Sequence, residues 1–482
     1  MLPMNSPEAR GRVAQLLSNR SLLIALIVAS AFFMESLDAT IIVTAVPQMA
    51  QSFGTTATRM SLGVTAYVLA TAACIPASGW LADRLGARNL FCGAIGLFTL
   101  SSMACGISPT FLTFIAARVV QGAAAAMMSP VGRLVVLRNA EKRDLMQALS
   151  TLVWPALFAP VLGPPLGGLI TSAASWRWIF YVNVPLGIVG MALVLAFIPN
   201  KKAVDHPSFD FKGFGFLAVA LASLTYGLDV IGSSQPNFPL GAGLFAAAAL
   251  AGVIAVHHLK IATNPVVRLQ SLSAPTFFVG NVSGGALSRA GINAAPFLLP
   301  LMFQVGFGLS PVVSGLLLLI YMAANLGMKL FTNRIMKRYG IRSVLLVNGA
   351  IASAGIAACA LLSPTLPFVF SVAILLLAGA SRSMQFTGIT FISFADTAPE
   401  ERASASVLAS LSQQISMGMG VAVGALMLNF SRVVRGSADL SVYDFRLALV
   451  LAGVLSSLAL FSYSGLAVDA GAEISGHKPK PA

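Results

Sequence analysis

Apolar runs of about 18 residues or more, divided by short polar breaks, recur from Leu22 almost to the C-terminus. An uncharged run of that length can cross the hydrocarbon of a bilayer as a helix, because a helix satisfies its own backbone hydrogen bonds. The pattern predicts about fourteen such helices, at residues 22–46, 60–81, 89–107, 111–136, 147–171, 177–198, 213–231, 239–258, 276–305, 311–332, 343–362, 366–391, 403–428 and 444–464. The chain is therefore expected to be an all-α polytopic membrane protein. Only 10% of its 482 residues are charged, against about 25% in a soluble domain, so no large soluble domain is expected.

Charge gives the orientation. An even number of crossings puts both termini on one face. Arg10, Arg12, Arg20, Arg84, Arg88, Arg138, Lys142, Arg143, Lys201, Lys202, Lys212, Lys260, Arg268, Arg334, Lys337, Arg338, Arg342, Arg402, Lys478 and Lys480 fall on that face. Arg59, Arg177, Arg432, Arg435 and Arg446 fall on the other. The excess predicts a multi-pass protein with both termini cytoplasmic, in a bacterial inner membrane. The net charge of +14 is thus spread over loops, and no nucleic-acid partner is expected. The first run has no small-residue cleavage site after it and is read as a retained span. Cys74, Cys92, Cys105 and Cys359 lie in apolar runs without CxxC spacing and read as packing residues. No metal-ligand cluster, nucleophile with its base, or GxxxxGK[ST] loop is visible, so neither an enzyme nor ATP-driven transport is expected, and no metal.

The chain repeats itself at offsets of about 254 to 259 residues, as a chain of two parallel halves would. Ser108-Pro109-Thr110 returns as Ser363-Pro364-Thr365, Gly86-Ala87-Arg88 as Gly340-Ile341-Arg342, and Glu141-Lys142-Arg143 as Glu400-Glu401-Arg402. The predicted organisation is an N-terminal segment (1–20), a six-helix bundle (21–198), a linker with two inserted spans (199–275), a second six-helix bundle (276–465) and a tail (466–482).

Several stretches carry a family resemblance. GWLADRLGAR (79–88), RVVQGAAAAMMSP (118–130), LDATIIVTAVP (37–47), WRWIFYVNVPLG (176–187) and Ala159-x-x-x-Gly163-Pro164-x-x-Gly167-Gly168 resemble motifs of the major facilitator superfamily. LDATIIVTAVP and WRWIFYVNVPLG are similar to motifs of its fourteen-span drug:proton antiporter branch, the EmrB/QacA type, and the Ala159…Gly168 pattern resembles the fifth-span motif that marks the superfamily's antiporters. The resemblance implies two pseudo-symmetric six-helix bundles and alternating-access export of hydrophobic or amphipathic compounds, cationic or neutral, in exchange for protons. A dedicated exporter of one metabolite is the alternative, and a proton-coupled importer or a transport-inactive sensor fits less well. No cofactor beyond a proton gradient is implied. The implied partners are the bilayer, protons and a small-molecule substrate, with the protein acting as a monomer and a periplasmic adaptor left unassigned.

The fifth span, PALFAPVLGPPLGGLI (155–170), is rich in helix-breakers. Small residues let helices approach closely, and prolines keep the span bent. The resemblance implies that Gly163, Pro164, Gly167 and Gly168 form a bendable gating seam against the matching span of the other half. Ordinary small-residue packing is the plainer reading. In the loop motif, Asp83 with Arg84 and Arg88 can latch the two halves or can be a plain basic loop with one acid. Ala87 stands where the family often has a basic residue.

Charges inside spans are costly and are functional candidates by default. Glu35 and Asp38 are three apart on the first span, hence nearly on one face. Asp38 and Arg118 lie at similar depths, roughly 12 and 10 Å at 1.5 Å per residue, with Gln121 one turn deeper. Asp38, Glu35 and Arg118 are therefore the candidate proton-coupling groups, or else a static packing pair. The repeat places Arg289 near the counterpart of Glu35, which predicts that the two face each other across a central cavity. That cavity is assigned Glu35, Gln121, Arg289, Asn293 and Phe297.

Overall fold

The computed structural model describes residues 20–139, 145–199, 208–231, 237–397, 402–437, 439–472 and 477. Lys201, Lys202, the Glu141-Lys142-Arg143 triplet, Glu400, Glu401 and most of both terminal segments lie outside the described residues. The spanning helices are α1 (Arg20–Ile41), α2 (Ser61–Leu85), α3 (Ala87–Ile107), α4 (Phe111–Asn139), α5 (Leu145–Ala173), α6 (Asn183–Phe197), α7 (Phe211–Ile231), α8 (Phe238–Ile261), α9 (Gly284–Leu301), α10 (Pro311–Tyr339), α11 (Ile341–Ala358), α12 (Phe368–Ser393), α13 (Arg402–Val434) and α14 (Val442–Ser457). Thirteen crossings among the described residues are long and apolar enough to span a membrane. The fourteenth is α5, whose 29 residues include no charged side chain. This is a multi-pass membrane protein.

The ninth crossing departs from the single helix expected over 276–305. It is a short helix, Pro275–Asn281, then a break at Val282–Ser283, then α9, then a π-helical turn at Met302–Gly306. Gly285 explains why the break is tolerated, since a Cβ there would collide with the Gly280 carbonyl.

The two halves repeat each other in packing. In the first, α1 packs on α5, α2 on α4, and α3 on α4 and α6. In the second, α9 packs on α13, α10 on α12, and α11 on α12 and α14. Details repeat as well. Gly122 sits against the Tyr67 carbonyl as Gly379 sits against that of Tyr321. Gly86 and Gly340 both take positive φ, 86° and 79°, at the same turn, a conformation that favours glycine. Arg88 donates to the Leu195 carbonyl at 2.8 Å and Arg342 to that of Ser464 at 2.9 Å, each capping the last helix of its own half.

Across the halves, α5 packs on α10 and α2 on α13. The fifth span was expected to meet its own counterpart, α13. A two-fold relation places those two at opposite corners, so each packs instead on the other half's second helix. One continuous apolar core joins the halves at the face away from the termini, from Ile41, Phe114 and Trp176 to Phe297, Met302 and Tyr321. Gln304 donates to the Thr44 carbonyl at 3.0 Å and Thr58 to Asn429 at 3.3 Å across that closure. Toward the terminal face, the core around Val28 and Phe91 belongs to the first half and the core around Leu345 and Ile389 to the second. The core shared by both halves thus lies on the far side, while toward the terminal face each half keeps a core of its own.

The inserted pair α7–α8 lies on the α2/α13 seam, with Leu217, Leu221 and Leu259 filling in between Ala72 and Leu411. One carboxylate joins its ends. Asp210 accepts from Gly213 N at 2.8 Å and Val266 N at 3.2 Å, and pairs with His258 Nε2 at 2.7 Å. Burial pushes the Asp210 pKa up, but the bonds from Gly213, His258 and Val266 outweigh it and hold it below the ordinary value. A depressed carboxyl contributes stability that is present above the unfolded value of about 3.9 and is lost as pH falls through the folded one.

Asp210→Asn is therefore expected to raise amide hydrogen exchange at the start of α7 and over 262–267 at pH 7, while the wild type stays protected down to about pH 5. Added side chains at Gly168 or Gly315 would meet the backbone carbonyls of Pro311 and Pro164 across the α5/α10 seam. Gly168→Val and Gly315→Val are each expected to weaken that closure by about 1–3 kcal/mol, read as faster labelling of a cysteine placed at the buried Ser314. Gly243→Val, where an added Cβ meets nothing within 4 Å, is the control and should change nothing.

Candidate functional site

The centre of the first half is built where α1, α2, α4 and α6 meet, and charge decides its geometry. Asp38 on α1 is 1% exposed and Arg118 on α4 is 0% exposed. A charge so buried needs a counter-charge and hydrogen bonds, and Arg118 has both, although its Nη2 finds no hydrogen-bond partner among the described residues. Arg118 Nη1 donates to Asp38 Oδ2 at 2.7 Å and to Gln121 Oε1 at 2.6 Å, and Nε donates to the Gly63 carbonyl at 3.1 Å. Its guanidinium lies 4.3 Å from the centre of the Tyr67 ring, a cation–π contact that desolvation strengthens. The other carboxylate oxygen of Asp38 accepts from Gln121 Nε2 at 3.0 Å and Asn183 Nδ2 at 2.9 Å. Asn183 in turn donates to Ser102 Oγ at 2.9 Å. Both oxygens of Asp38 are occupied by donors, one of them a cation. Protonating it would leave Arg118 buried without a counter-charge.

Glu35, one turn nearer the terminal face, is built differently. Its one described hydrogen bond is accepted from Ser129 Oγ at 2.6 Å, and the side chain is half-buried. Arg133, one turn beyond Ser129 on α4, is exposed. Glu35 therefore lies toward the terminal face, and among the described residues it forms no ion pair like that of Asp38.

The remaining assignments are redistributed. Gln121 belongs to the sealed network around Asp38. Phe297 is 2% exposed and sits in the apolar core, and Asn293, 7% exposed, lies beneath Gly420 of α13. Of the five cavity candidates, Glu35 alone is more than marginally exposed in this conformation. Arg289 does not face Glu35. It is buried and donates to the Gly280 carbonyl at 3.3 Å. The break before α9 frees that carbonyl, and Arg289, a turn past the break, folds back to satisfy it.

The fifth-span glycines divide their work. Gly163 and Gly167 admit Thr40 and the Ile41 carbonyl of α1, within the half, while Gly168 admits α10 of the other half. Pro164 presents its carbonyl to Gly315 of α10. In the loop motif, Arg88 bonds within its own half, as above, and Arg84 lies 5.2 Å from the Trp80 ring. Trp80 stacks on Phe209 at 4.9 Å, fastening the end of α2 to the entry of α7. Asp83 is half-buried at that end. Among the described residues, neither arginine bridges the halves in this conformation.

Four contributors escaped the sequence reading: Asn183, Ser102, Tyr67 and Ser129. Asn183 and Ser129 lie inside two of the quoted stretches, WRWIFYVNVPLG and RVVQGAAAAMMSP, so position in a motif was the available signal. Tyr67 and Ser102 carry none, because an uncharged residue in an apolar span looks like packing.

Asp38→Asn or Arg118→Met is expected to destabilise the purified protein by about 3–5 kcal/mol, because each strands a buried partner. Glu35→Gln should cost about 1 kcal/mol or less. Thermal unfolding in detergent measures both, and equal losses for Glu35 and Asp38 would contradict the difference described.

Comparison with known proteins gives a consistent result. Residues 28–421 and 282–474 match the family model of the Major Facilitator Superfamily. The putative multidrug resistance protein MdtD of Escherichia coli O6:H1 is 38% identical over 413 residues, covering 83% of this chain and 85% of that protein. The corresponding protein of Salmonella paratyphi A is 37% identical over 406 residues, with the same coverage of 83% and 85%. Among solved structures, a nucleoside transporter superposes with a TM-score of 0.63 at 13% identity, over 92% of this chain and 99% of the other. A D-xylose–proton symporter gives 0.62 at 14% identity, over 90% and 96%. At such identities the structures speak to the fold alone.

Proposed function

This chain belongs to the Major Facilitator Superfamily, and on that premise we propose that it is a proton-coupled antiporter exporting hydrophobic or amphipathic compounds, cationic or neutral, from the cytoplasm. The multidrug resistance names of its relatives support the substrate class. The excess of basic residues on the terminal face supports cytoplasmic termini in a bacterial inner membrane. The protein works as a monomer on the proton gradient.

The observation that carries the mechanism is the contrast between two acids one turn apart. Asp38 is sealed by Arg118, Gln121 and Asn183, and its role is to hold α1, α4 and α6 as one body. Glu35, whose described hydrogen bond comes from Ser129 and whose side chain is half-buried, is the proton carrier. With the halves parted on the cytoplasmic side, Glu35 releases its proton there, and the ionised carboxylate favours an apolar compound bearing positive charge. Rocking about the α5/α10 and α2/α13 seams then turns the cavity outward, where a proton returns to Glu35 and removes that attraction. Release and protonation are linked because both use one carboxylate.

Everted vesicles carrying the protein test this reading. Cationic or neutral lipophiles should dissipate a preformed proton gradient in the wild type. Glu35→Gln should lower that response about tenfold or more, with Glu35→Asp restoring part of it. A folded Glu35→Gln protein that still exchanges protons for drug at the wild-type rate would refute the assignment.

A further inference from the structure

Two cavities adjoin where the inserted pair meets the second half. The outer one, about 640 Å³, lies at the terminal-face end of α8 and in the segment after it, and is lined by Lys260, Thr263, Arg268, Gln270 and Ser273. The inner one, about 550 Å³, runs between Leu217 of α7, Val256 of α8, Ala286 of α9 and Leu411, Ile415 and Met419 of α13. They share Leu259 and Leu269, so together they form one slot with a basic mouth and an apolar interior. From Leu408 to Met427 the inner wall follows α13 for roughly 28 Å at 1.5 Å per residue. That is ample for one acyl chain, which reaches about half of a hydrocarbon core roughly 30 Å thick.

We propose that this slot binds an anionic phospholipid, its phosphodiester headgroup on Lys260 and Arg268 and an acyl chain in the crevice between α8 and α13. Charge complementarity selects the headgroup. Lys260 and Arg268 are both exposed and form no ion pair among the described residues, and no acid lines either cavity. A guanidinium fork and an ammonium at the interface suit a phosphate. The ammonium of a zwitterionic lipid would find no carboxylate there, which favours a headgroup of net negative charge. The interior favours hydrocarbon at the other end of the ligand: its walls are mainly apolar, with Asn281, Ser412 and Ser416 the polar exceptions, and a soluble phosphate would leave it unfilled.

The lipid also gives the inserted pair a task. The α2/α13 seam is filled by α7 and α8 where α5/α10 is closed by glycines, and an acyl chain between α8 and α13 completes that filling. The pair then acts as a lipid-braced wall along one side of the moving interface.

Native mass spectrometry of the full chain in detergent tests this, with dioleoyl phosphatidylglycerol, phosphatidylethanolamine and phosphatidylcholine as probes and glycerol phosphate as the soluble headgroup. The expected result is one retained phosphatidylglycerol, preferred over both zwitterionic lipids. The double variant K260Q/R268Q should weaken its binding about 30-fold, and Ala286→Trp, which fills the crevice, should also displace it. If Ala286→Trp does not fold, Val256→Trp fills the same space from α8. Equal retention of all three lipids would overturn the proposal, as would indifference to the charge variant or to the filled crevice. Displacement by equimolar glycerol phosphate would show a free-phosphate site and overturn it too.

Discussion

Hydrocarbon offers an ion no hydration, so each charge inside this protein must find its partner in the chain, and that constraint organises the first half. Asp38 and Arg118 meet at 2.7 Å with both carboxylate oxygens filled. The donors come from α4 and α6, and α2 contributes the Gly63 carbonyl and the Tyr67 ring. Four helices are thereby referred to one point. Such a pair adds little net stability over an apolar replacement but is strongly destabilising when halved. Its effect is to fix geometry, and the proton-carrier role proposed for Glu35, one turn away, rests on that contrast.

In the second half the buried acid, Asp444 on α14, pairs with Arg435 at 2.6 Å near the far face, and α9 carries no acid of its own. Arg289 spends its charge on the Gly280 carbonyl at the break before α9. Repetition of fold therefore does not extend to repetition of charge. Gly86 and Gly340, Gly122 and Gly379, and Arg88 and Arg342 occupy matching places because they answer needs of backbone and packing shared by both halves. Arg118 and Arg289 answer local needs and do not match. Movement between the halves is left to two seams of unlike construction: glycine against carbonyl at α5/α10, and side-chain filling by the inserted pair at α2/α13.

Much of this was legible in the sequence because a bilayer reduces the question to run length, charge and count. Asp38 and Arg118 could be matched by depth alone, since helix rise converts residue number to ångströms. Glu35 and Arg289 each have another partner in this conformation, Ser129 and the Gly280 carbonyl, and their expected opposition rested on a repeat offset carried through the ninth crossing. The break at Val282–Ser283 changes the direction in which later side chains point, and no pattern of hydrophobicity reports a two-residue break. The partner of α5 was misplaced for a related reason: symmetry names which helices correspond, while packing depends on where the axis lies. Asn183 and Ser129 were present in recognisable stretches, yet a neutral polar residue reveals its role only when its neighbour is known.

The division of labour between the two acids is the central claim, and infrared difference spectroscopy of the protein in liposomes reaches it directly. A carboxylic C=O band that appears and disappears across a pH step, with no substrate present, reports a titrating buried acid. This band is expected to be present in the wild type and absent from Glu35→Gln. Its survival at full intensity in Glu35→Gln would place the titrating proton on another carboxyl and contradict the account.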